Sequence, residues 1–519
     1  MPEKEDHAEV SVRLTTLPGA SAQFDVGGGL LSDEQLRYRM VGIYRNEDNV
    51  ADYTNPYDRI FLAPSFAIDV NENHKVSLWF EYLDESFPLD ANNPIGTNGE
   101  ILIPQERITS HPDNEGEKSH FKIGFDVNSY FGNWTSNLKF VHNDFENFLL
   151  PFVINFPFFA ETNTINRIIS EQTFKGKENL IALTVNGEFE LLGLRNRITI
   201  GGDYFDSDSG FGAAFRGVAE TMDIFDTDFD YGELPEPVDP QVNFIERKQT
   251  GVFVQNHLSL TNQFILSFGL RYDDYEAEDT DTFESTTPQL GLLYKVNDDI
   301  SVYANYSESF TPNTVFEIDG TLLDPETGEG NEIGIRYSIS EKINMSAAYF
   351  DIEKVNVAVP DPADPFNFFI ASGAQTSEGI EVDMAGNITD DWSMVASYGY
   401  VDTEDKAANP GNALLNMPKH TASLFTQHTL AFAGLPDFTL GGGFRHIGNM
   451  FVVDPGNSVE LPSATVFDLN ITYQKGPWTA ILTVQNLGDK EYVENATFSS
   501  AITSFGAPRN AFLSVLYDF

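Results

Sequence analysis

The last ten residues of the chain alternate between apolar and polar side chains, and the final residue is an aromatic. At the period of two that an extended strand imposes, Leu513, Val515, Tyr517 and Phe519 share one face, and Ser514, Leu516 and Asp518 share the other. Such a strand suits lipid on one side and a polar lumen on the other. Because the ends of soluble domains usually fray in solvent, the pattern predicts the closing strand of a transmembrane β-barrel.

Hydrophobicity excludes a helical membrane protein. The 519 residues are 41% hydrophobic, but no run approaches the roughly 18 apolar residues that a membrane helix needs. The longest apolar stretch, Phe148 to Ala160, is short and contains Pro151 and Pro157. A barrel is compatible with this composition, because only half of the positions in each of its strands are apolar.

The charge balance and the lack of cysteine exclude further classes. With 30 Lys and Arg against 79 Asp and Glu, the net charge is −49. A surface of this sign repels phosphate backbones and argues against nucleic-acid partners. The chain has no cysteine, which rules out disulfides and thiolate metal sites. The acidic, polar start is not a signal peptide, although an outer-membrane protein must be exported.

Connections between the alternating segments fall into two length classes. Ten short turns lie at Ser32–Gln35, Asn71–Asn73, Gly132–Asn133, Leu192–Asn196, Asn262–Gln263, Asn297–Asp298, Glu341–Lys342, Thr389–Asp391, Leu435–Asp437 and Lys475–Pro477. Longer segments alternate with them, near 47–58, 87–117, 148–176, 209–245, 277–285, 309–328, 354–375, 404–415, 449–463 and 488–508. A tight turn near Pro18–Gly19 makes the first hairpin.

Eleven hairpins of this kind predict an all-β fold, a 22-stranded antiparallel transmembrane β-barrel with short periplasmic turns and long extracellular loops. Residues 1–8 are then a polar N-terminal tail, and residues 9–519 form the barrel. About 11 residues per strand, tilted by about 40°, span the apolar band of an outer membrane. The terminal strand should pair with the strand near residues 9–17.

Ordered motifs in the second half of the chain narrow this further. They lie at Tyr303–Asn313, Pro325–Tyr337, Ser377–Asp383, Asn416–Ser423, Val484–Tyr492 and Gly506–Asn510, with a looser match at Arg37–Tyr44. Together these segments resemble the barrel of TonB-dependent receptors, in the ferrichrome-type ferric-siderophore branch. Such receptors carry a plug domain and an energy-coupling segment ahead of the barrel. Because the barrel pattern begins by about residue 9, we expect no plug in this chain.

The resemblance implies a receptor of the Gram-negative outer membrane, a monomer that binds a ferric siderophore at its outer loops and imports it. Its surroundings would be outer-membrane lipid and lipopolysaccharide, and TonB would act only through a plug. A passive diffusion pore for polar solutes is the alternative, and a barrel enzyme is a remoter one. We find no Gly-x-Ser-x-Gly or His-Glu-x-x-His motif and predict no enzymatic activity. No resident cofactor is expected.

Candidate ligand contacts come from aromatic residues where strands enter long loops. Phe152, Phe156 and Phe158 lie in a Phe-rich segment that could line the mouth and stack on a ligand, and Phe310 lies in a second strand-to-loop run. An aromatic girdle at the lipid interface or packing within the loop would produce the same pattern. Both interpretations stay open at this point.

Charged residues give two further expectations. Arg37, Arg39, Arg271 and Arg336, with Lys122 and Lys139, alternate with apolar rows and should line the lumen beside acids such as Glu81, Asp126 and Glu381. This mixed wall would hold a plug or, alternatively, guide a ligand. The acidic run from Asp226 to Asp230 does not match an EF-hand, because positions six and twelve are Tyr231 and Pro237. It predicts a solvated acidic loop, with loosely bound divalent cations as the alternative, and no dedicated metal site.

Overall fold

The computed structural model describes residues 2–30, 35–51, 53–89, 93–159, 161–278, 282–361, 363, 368–406, 413–454, 457–496 and 502–519. The side chains of residues 155–159, 360, 372, 453, 454, 457 and 458 are outside this description. Within the described residues, the regular structure is almost entirely β, and the single helix there is one 3₁₀ turn at Leu430–Ala433. No helix of this described part is long and apolar enough to cross a membrane.

The strands follow one another in chain order. They are β1 (His7–Thr15), β2 (Gly19–Gly29), β3 (Leu36–Glu47), β4 (Tyr57–Asn71), β5 (His74–Pro88), β6 (Glu115–Phe131), β7 (Trp134–Phe159), β8 (Thr164–Leu191), β9 (Leu194–Asp223), β10 (Asn243–Ser259), β11 (Phe264–Ala277), β12 (Phe283–Lys295) and β13 (Ile300–Thr311). They continue with β14 (Glu326–Ser340), β15 (Ile343–Pro360), β16 (Phe369–Thr389), β17 (Trp392–Asp405), β18 (His420–Thr429), β19 (Phe438–Ile447), β20 (Met450–Asp454), β21 (Asn457–Leu461), β22 (Ala464–Lys475), β23 (Trp478–Gln485), β24 (Val493–Ala496), β25 (Thr503–Phe505) and β26 (Asn510–Asp518).

Twenty-two of these strands form one antiparallel sheet, and the hairpins β20–β21 and β24–β25 lie in connections outside it. The sheet closes because β1 pairs with β2 on one side and with β26 on the other. A closed sheet leaves no edge strand, so its backbone groups are satisfied within the barrel wall, as a hydrocarbon environment requires. The predicted strand number and the predicted pairing of the terminal strand are confirmed.

The terminal strand has the two faces that its sequence predicts. Leu513, Val515 and Tyr517 stand opposite Leu14, Val12 and Val10 of β1. Leu513 and its partners Val10, Val12 and Leu14 are 39–53% exposed, so this apolar row covers the outside of the barrel. The alternate residues of β26 face the lumen, where the Arg13 guanidinium lies 4.1 Å from the centre of the Phe512 ring.

Aromatic side chains form an outer girdle at the short-turn end. Ring pairs stand next to the turns, with centroids 4.6 Å apart for Trp478 and Tyr517, and 4.5 Å apart for Phe264 and Tyr294. Further members of this girdle are Phe438 with Tyr473, Trp134 with Phe189, and His74 with Phe131. Amphipathic rings of this kind favour the boundary between lipid and water, so the girdle marks one edge of the apolar band.

The other edge of the band follows a repeated sequence rule. Six of the strands that run toward the long loops carry a tyrosine on their outer face, followed two residues later by a carboxylate on the same face. The pairs are Tyr82 and Asp84, Tyr204 and Asp206, Tyr272 and Asp274, Tyr306 and Glu308, Tyr349 and Asp351, and Tyr400 and Asp402. In two of them the tyrosine hydroxyl donates to that carboxylate, over 3.2 Å from Tyr82 to Asp84 and 2.6 Å from Tyr306 to Glu308. The carboxylates therefore lie one step outside the apolar band.

Three consecutive strands extend far past this edge. β7, β8 and β9 have 26, 28 and 30 residues, against 12 to 17 in β3–β6 and β10–β14. The sequence analysis predicts long loops at 148–176 and at 209–245. This is wrong for most of the first segment, which belongs to β7 and β8, and for the start of the second, which belongs to β9. Register shifts between Leu149 and Phe152 and between Ile169 and Ser170 break the alternation, which hid these strands in the sequence.

Candidate functional site

An aromatic stripe lies on the inner face of the extension of β7–β9. Phe174 of β8 pairs directly with Phe211 of β9, and the Phe145 ring lies 5.1 Å from the Phe174 ring. Phe215 continues the stripe outward, opposite Ser170. The inner face follows from alternation, because Ile181 and Ile200, on the opposite parity, are exposed on the apolar outer wall.

The side chains of the aromatic stripe (Phe145, Phe174, Phe211 and Phe215) become more exposed toward its outer end. Phe174 is 43% exposed, Phe211 52% and Phe215 66%. Exposed phenyl rings on a concave wall are unusual for a soluble surface and typical of a ligand-binding mouth. A flat, apolar or aromatic part of a ligand could stack on them.

Neutral amides flank the rings in the same rows of the sheet. Asn147 stands beside Phe174, and Asn243 stands beside Phe211. Both amides can donate and accept hydrogen bonds without adding charge. The face therefore combines aromatic area with a few polar groups that can fix the orientation of a ligand.

Charges enter this wall two rows below the rings, toward the lumen. The Glu178 carboxylate accepts from Asn143 over 3.0 Å, and the Arg247 guanidinium donates to the Ser209 hydroxyl over 3.0 Å. Arg271 lies deeper, with 2.9 Å contacts to both carboxylate oxygens of Asp203. The aromatic stripe thus stands above a polar lumen wall.

Residues 93–114 of the connection between β5 and β6 pack against several other long connections. Ile95 lies in a buried apolar cluster with Val452 and Leu461 of the β20–β21 hairpin and Val493 of β24. These partners belong to the connection between β19 and β22 and to the connection between β23 and β26. The packing therefore joins three long loops. Ile103 makes a second cluster with Ile165 and Ile224, which adds the tip of β8 and the connection after β9.

Arg167 of β8 is the polar centre of that second junction. It is fully buried, donates to the carbonyl oxygens of Ser110 and Glu220, and lies 4.9 Å from the centre of the Phe229 ring and 5.4 Å from that of Tyr231. Burial lowers the pKa of its guanidinium. A buried cation held by carbonyls and ring faces favours one arrangement of the three connections that meet there.

His111 completes the same junction and is only 3% exposed. Its Nε2 lies 3.3 Å from the Gly232 carbonyl oxygen, and its Nδ1 accepts from the Asp113 amide over 3.0 Å. These partners suit a neutral ring that carries its proton on Nε2. Burial lowers the pKa of His111, against smaller raising effects of Gly232 and Asp113.

Several of the ordered sequence motifs are structural ties at the bases of long loops. Asn486 is buried, has a φ of 47°, and donates from its amide to the carbonyls of Lys490 and Ala507. Asp489 and Arg509 form an ion pair over 3.4 Å. Gly506 lies against the Tyr492 ring, and a Cβ at this position would overlap that ring. The motifs at 484–492 and 506–510 therefore contact each other and fix one loop.

The four predicted lumen arginines lie on the inner face, where three contact aspartates and one lies near a tyrosine ring. Arg37 makes two 2.6 Å hydrogen bonds to Asp69, and Arg39 makes bonds of 2.9 and 2.5 Å to Asp25. Arg271 bridges Asp203 and Asp273. Arg336 lies 5.3 Å from the centre of the Tyr303 ring. Lys122 faces the lumen, and its Nζ lies 3.5 Å from a carboxylate oxygen of Glu81. Strand pairing places Lys139 beside Asp126. The residue of β15 that pairs with Glu381 is Ala348, which carries no charge.

The predicted ligand aromatics have different surroundings. Phe152 is 7% exposed, and the side-chain amide of Asn114 hydrogen-bonds the backbone of the neighbouring Val153. The side chains of Phe156 and Phe158 lie outside the described residues. Phe310 lies an even number of positions from Val302 and Glu308, so the three side chains share the outer face of β13. It pairs with Thr327 of β14. Contact between any of these residues and a ligand stays a prediction.

Sequence reasoning missed Phe174, Phe211 and Phe215. The signal that could have found them is the alternation of faces along β8 and β9. Counting from the outer residues Ile181 and Ile200 into the segments that were predicted to be loops places these three rings on the opposite, inner face. Among the described residues, no group of three or more His, Asp or Glu side chains has a geometry that could hold a metal ion. Divalent cations at the acidic loops stay an untested prediction.

Comparison with known proteins gives the family. Residues 19–487 match the family model described as TonB dependent receptor-like, beta-barrel. The metal-pseudopaline receptor CntO of Pseudomonas aeruginosa (strain UCBPP-PA14) is 23% identical over 553 residues, covering 99% of this chain and 76% of that protein. The ferrioxamine receptor of Yersinia enterocolitica is 25% identical over 523 residues, covering 94% of this chain and 71% of that protein.

Solved structures share the fold. The ferripyoverdine receptor of the outer membrane of Pseudomonas aeruginosa, bound to ferripyoverdine, superposes with a TM-score of 0.87 at 22% identity, covering 100% of this chain and 72% of that chain. BauA, the ferric preacinetobactin receptor from Acinetobacter baumannii, has a TM-score of 0.86 at 19% identity, covering 100% and 80%. These relatives are receptors. With its family match over most of its length and its closed 22-stranded barrel, this chain belongs to the TonB-dependent receptors and is a protein of the Gram-negative outer membrane.

Proposed function

We propose that this chain is the transport barrel of a receptor that binds a ferric siderophore at its long-loop end and passes it toward the periplasm. The observation that carries the proposal is the aromatic stripe, exposed on the inner wall of β7–β9 and flanked by Asn147 and Asn243. Siderophore complexes present flat chelating groups and apolar backbones, which stack on such rings. Similarity to receptors for ferrioxamine and ferripyoverdine supports the same ligand class.

Position within the fold also supports this role. The stripe lies on the same face as the lumen wall and above it, so a ligand bound there would stand at the entrance of the passage. Energy coupling through TonB, by way of a plug domain of the kind that the family carries, is part of the proposal. It requires no chemistry from this chain, and the chain would act by binding and positioning the chelate.

Binding by purified protein in detergent tests the proposal. We expect one or more ferric chelates from a panel of trihydroxamate, tris-catecholate and carboxylate types to bind with a dissociation constant below about 1 μM. Replacing Phe174 or Phe211 by alanine should weaken that binding about tenfold, because one stacked ring contributes about 0.5–1.5 kcal/mol beyond its buried area. Uptake of radiolabelled iron by the native host should fall when the gene is deleted.

Phe244→Ala is a matched control. Phe244 neighbours Phe211 across the β9–β10 pairing and is similarly exposed, at 47% against 52%, but it faces outward. Its replacement should leave chelate binding within twofold. A chain that binds no chelate, but shows a large and stable conductance in planar bilayers, would instead be a passive pore for polar solutes.

A further inference from the structure

Charge is sorted sharply between the lumen wall and the long loops. On the inner face of the wall, acids and bases alternate as partners, as in the pairs of Arg37 with Asp69 and Arg271 with Asp203. The connection after β9, residues 224–242, has no Lys or Arg and carries Asp226, Asp228, Asp230, Glu233, Glu236 and Asp239. The connection after β13, residues 312–325, likewise has only acidic charges, Glu317, Asp319 and Asp324. The surplus of negative charge therefore stands around the mouth.

Cations in the long loops are occupied by acidic or carbonyl partners. Lys419 lies 3.0 Å from Asp402, and Lys406 lies 3.5 Å from Glu353. Arg509 pairs with Asp489, and Arg107 donates to the Asp226 carbonyl. Lys490 stands between Asp489 and Glu491 in the sequence. An anionic ligand would have to displace carboxylates to reach these groups, at a cost in desolvation and lost pairing.

Cations on the extended strands are engaged in the same way. Lys175 lies 3.4 Å from both Glu146 and Asp239, and Arg216 lies 3.9 Å from Glu171. Arg167 is buried in its loop junction.

The rows that contain the aromatic stripe supply rings, neutral amides and one lysine, Lys118, which stands between Asn147 and Glu85 in the strand pairing. Recognition of carboxylate, catecholate or phosphate anions in proteins relies on accessible arginine or lysine. On this wall Lys118 stands beside the Glu85 carboxylate, and Arg247 donates to the Ser209 hydroxyl, so the described part of the wall supplies few basic groups next to the stripe, against the many acids of the loops.

We propose that the receptor selects cationic or neutral metal chelates and discriminates against polyanionic ones. This inference rests on the proposed function and specifies its substrate class. Acidic loops around a concave, low-dielectric wall focus a negative potential on the mouth, which speeds the arrival of cations and slows that of anions by tenfold or more at low salt. The aromatic stripe then holds a ligand that brings positive or no charge, since ring faces attract cations.

Three ferric chelates that share one chelating core and differ at a single terminal group, and so in charge, test the proposal on the protein in detergent. The probes are a linear ferric trihydroxamate with a free terminal ammonium (+1), its N-acetylated form (neutral) and its N-succinylated form (−1), together with a ferric tris-catecholate (−3). Association and dissociation rates are measured at 20 mM and 300 mM NaCl. We expect the +1 form to associate at least tenfold faster than the −1 form at 20 mM, with a smaller difference at 300 mM.

A variant pair tests whether the loops set this preference. Asp228→Asn, Glu233→Gln and Glu236→Gln together remove three exposed acids from the connection after β9. Glu329→Gln, Asp351→Asn and Glu404→Gln together remove three exposed acids from the outward face of β14, β15 and β17. The first set should reduce the rate ratio of the +1 to the −1 form by at least threefold, and the second should change it less than twofold.

The outcomes separate the two proposals. Equal or tighter binding of the −1 or −3 chelate at low salt overturns the charge selection while the receptor function stands. Equal effects of the two variant sets overturn the assignment of the selection to the mouth loops. If none of the four chelates binds, the proposed function itself fails, and the charge selection fails with it.

Discussion

At the scale of single residues, His111 links the packing of the mouth to pH. Burial lowers its pKa in the folded loops, while an opened loop returns it toward the ordinary value of about 6.5. Below about pH 6.5 the opened state therefore binds a proton that the packed state does not, so stability is full above that pH and falls on acidification. The groups that face the ring are Asp113, Arg167 and Tyr231.

We predict that the junction of residues 105–114 opens more often at pH 5.5 than at pH 7.5. Hydrogen exchange of these amides, corrected for the intrinsic pH dependence, should show lower protection at pH 5.5. In His111→Gln the difference between the two pH values should largely disappear, although overall protection falls. Unchanged protection in the native protein would contradict the assigned titration.

Arg167 gives a second prediction at this scale. Arg167→Met keeps much of the side-chain volume but leaves the Ser110 and Glu220 carbonyls without their donor and removes the cation from the Phe229 and Tyr231 rings. We expect a loss of about 2–4 kcal/mol in the local opening free energy of the junction, by hydrogen exchange. Arg197→Met is the control, because Arg197 is 69% exposed in its pair with Glu188, and its loss should cost under about 1 kcal/mol.

Residue roles were the least predictable feature of the sequence. Phe152 lies in a Phe-rich segment that suggests ligand contact, but the backbone of its neighbour Val153 is bound to the side chain of Asn114, a residue 39 positions away. The Asn114 Nδ2 donates to the Val153 carbonyl, and the Val153 N–H donates to the Asn114 Oδ1. Such a contact has no local sequence signal. Phe174 and Phe211 could have been found by continuing the strand parity, because each lies an odd number of positions from an exposed outer residue, Ile181 and Ile200.

At the scale of elements, the loop that joins β23 to β26 depends on the buried amide of Asn486. The side-chain oxygen of Asn486 accepts a hydrogen bond from the backbone N–H of Lys490 over 2.8 Å. Its side-chain nitrogen donates to the backbone carbonyls of Lys490 and Ala507. We predict that Asn486→Ala lowers the opening free energy of this loop by about 2–4 kcal/mol, because buried backbone partners lose their bonds. Faster exchange or proteolytic cleavage within Val493–Ala496 would report it.

A turn asparagine at the opposite end provides the comparison. Asn262→Ala changes an exposed turn residue whose side-chain oxygen accepts a long, 3.5 Å hydrogen bond from Arg195. It should leave the β24–β25 hairpin unchanged. If Asn486→Ala were equally silent, the sequence motif at 484–492 would not be a structural tie.

Elements were predictable where alternation is unbroken. Strands such as β26 and β13 keep strict parity, so their faces and pairing follow from sequence. β7–β9 were underestimated because two prolines and several register shifts interrupt their outer halves, and because loop length was inferred from the loss of alternation. The hairpins β20–β21 and β24–β25 are stabilised by packing against residues 93–114, a contact that distance along the chain conceals.

At the scale of the whole molecule, the charge of −49 acts mainly at the rim. Acids of the lumen wall such as Asp69 and Asp203 are paired with arginines, whereas the acids of the outer face and the long loops outnumber the cations beside them. Repulsion between like charges destabilises the folded barrel. Salt screens this repulsion, because the Debye length falls from about 30 Å at 0.01 M to about 3 Å at 1 M. Salt also weakens the lumen ion pairs, but partly buried pairs are screened much less.

We therefore predict that thermal stability in detergent rises with salt. The melting temperature should increase by several degrees between 0.02 M and 1 M NaCl, with most of the change below 0.2 M, where screening varies fastest. Choline chloride should act like NaCl, because screening depends on ionic strength rather than on a particular cation. The variant Glu329→Gln, Asp351→Asn, Glu404→Gln should start from a higher melting temperature at 0.02 M and gain less from salt. A melting temperature that falls steadily with NaCl would mean that the paired lumen charges, rather than the acidic rim, dominate the electrostatic free energy of this barrel.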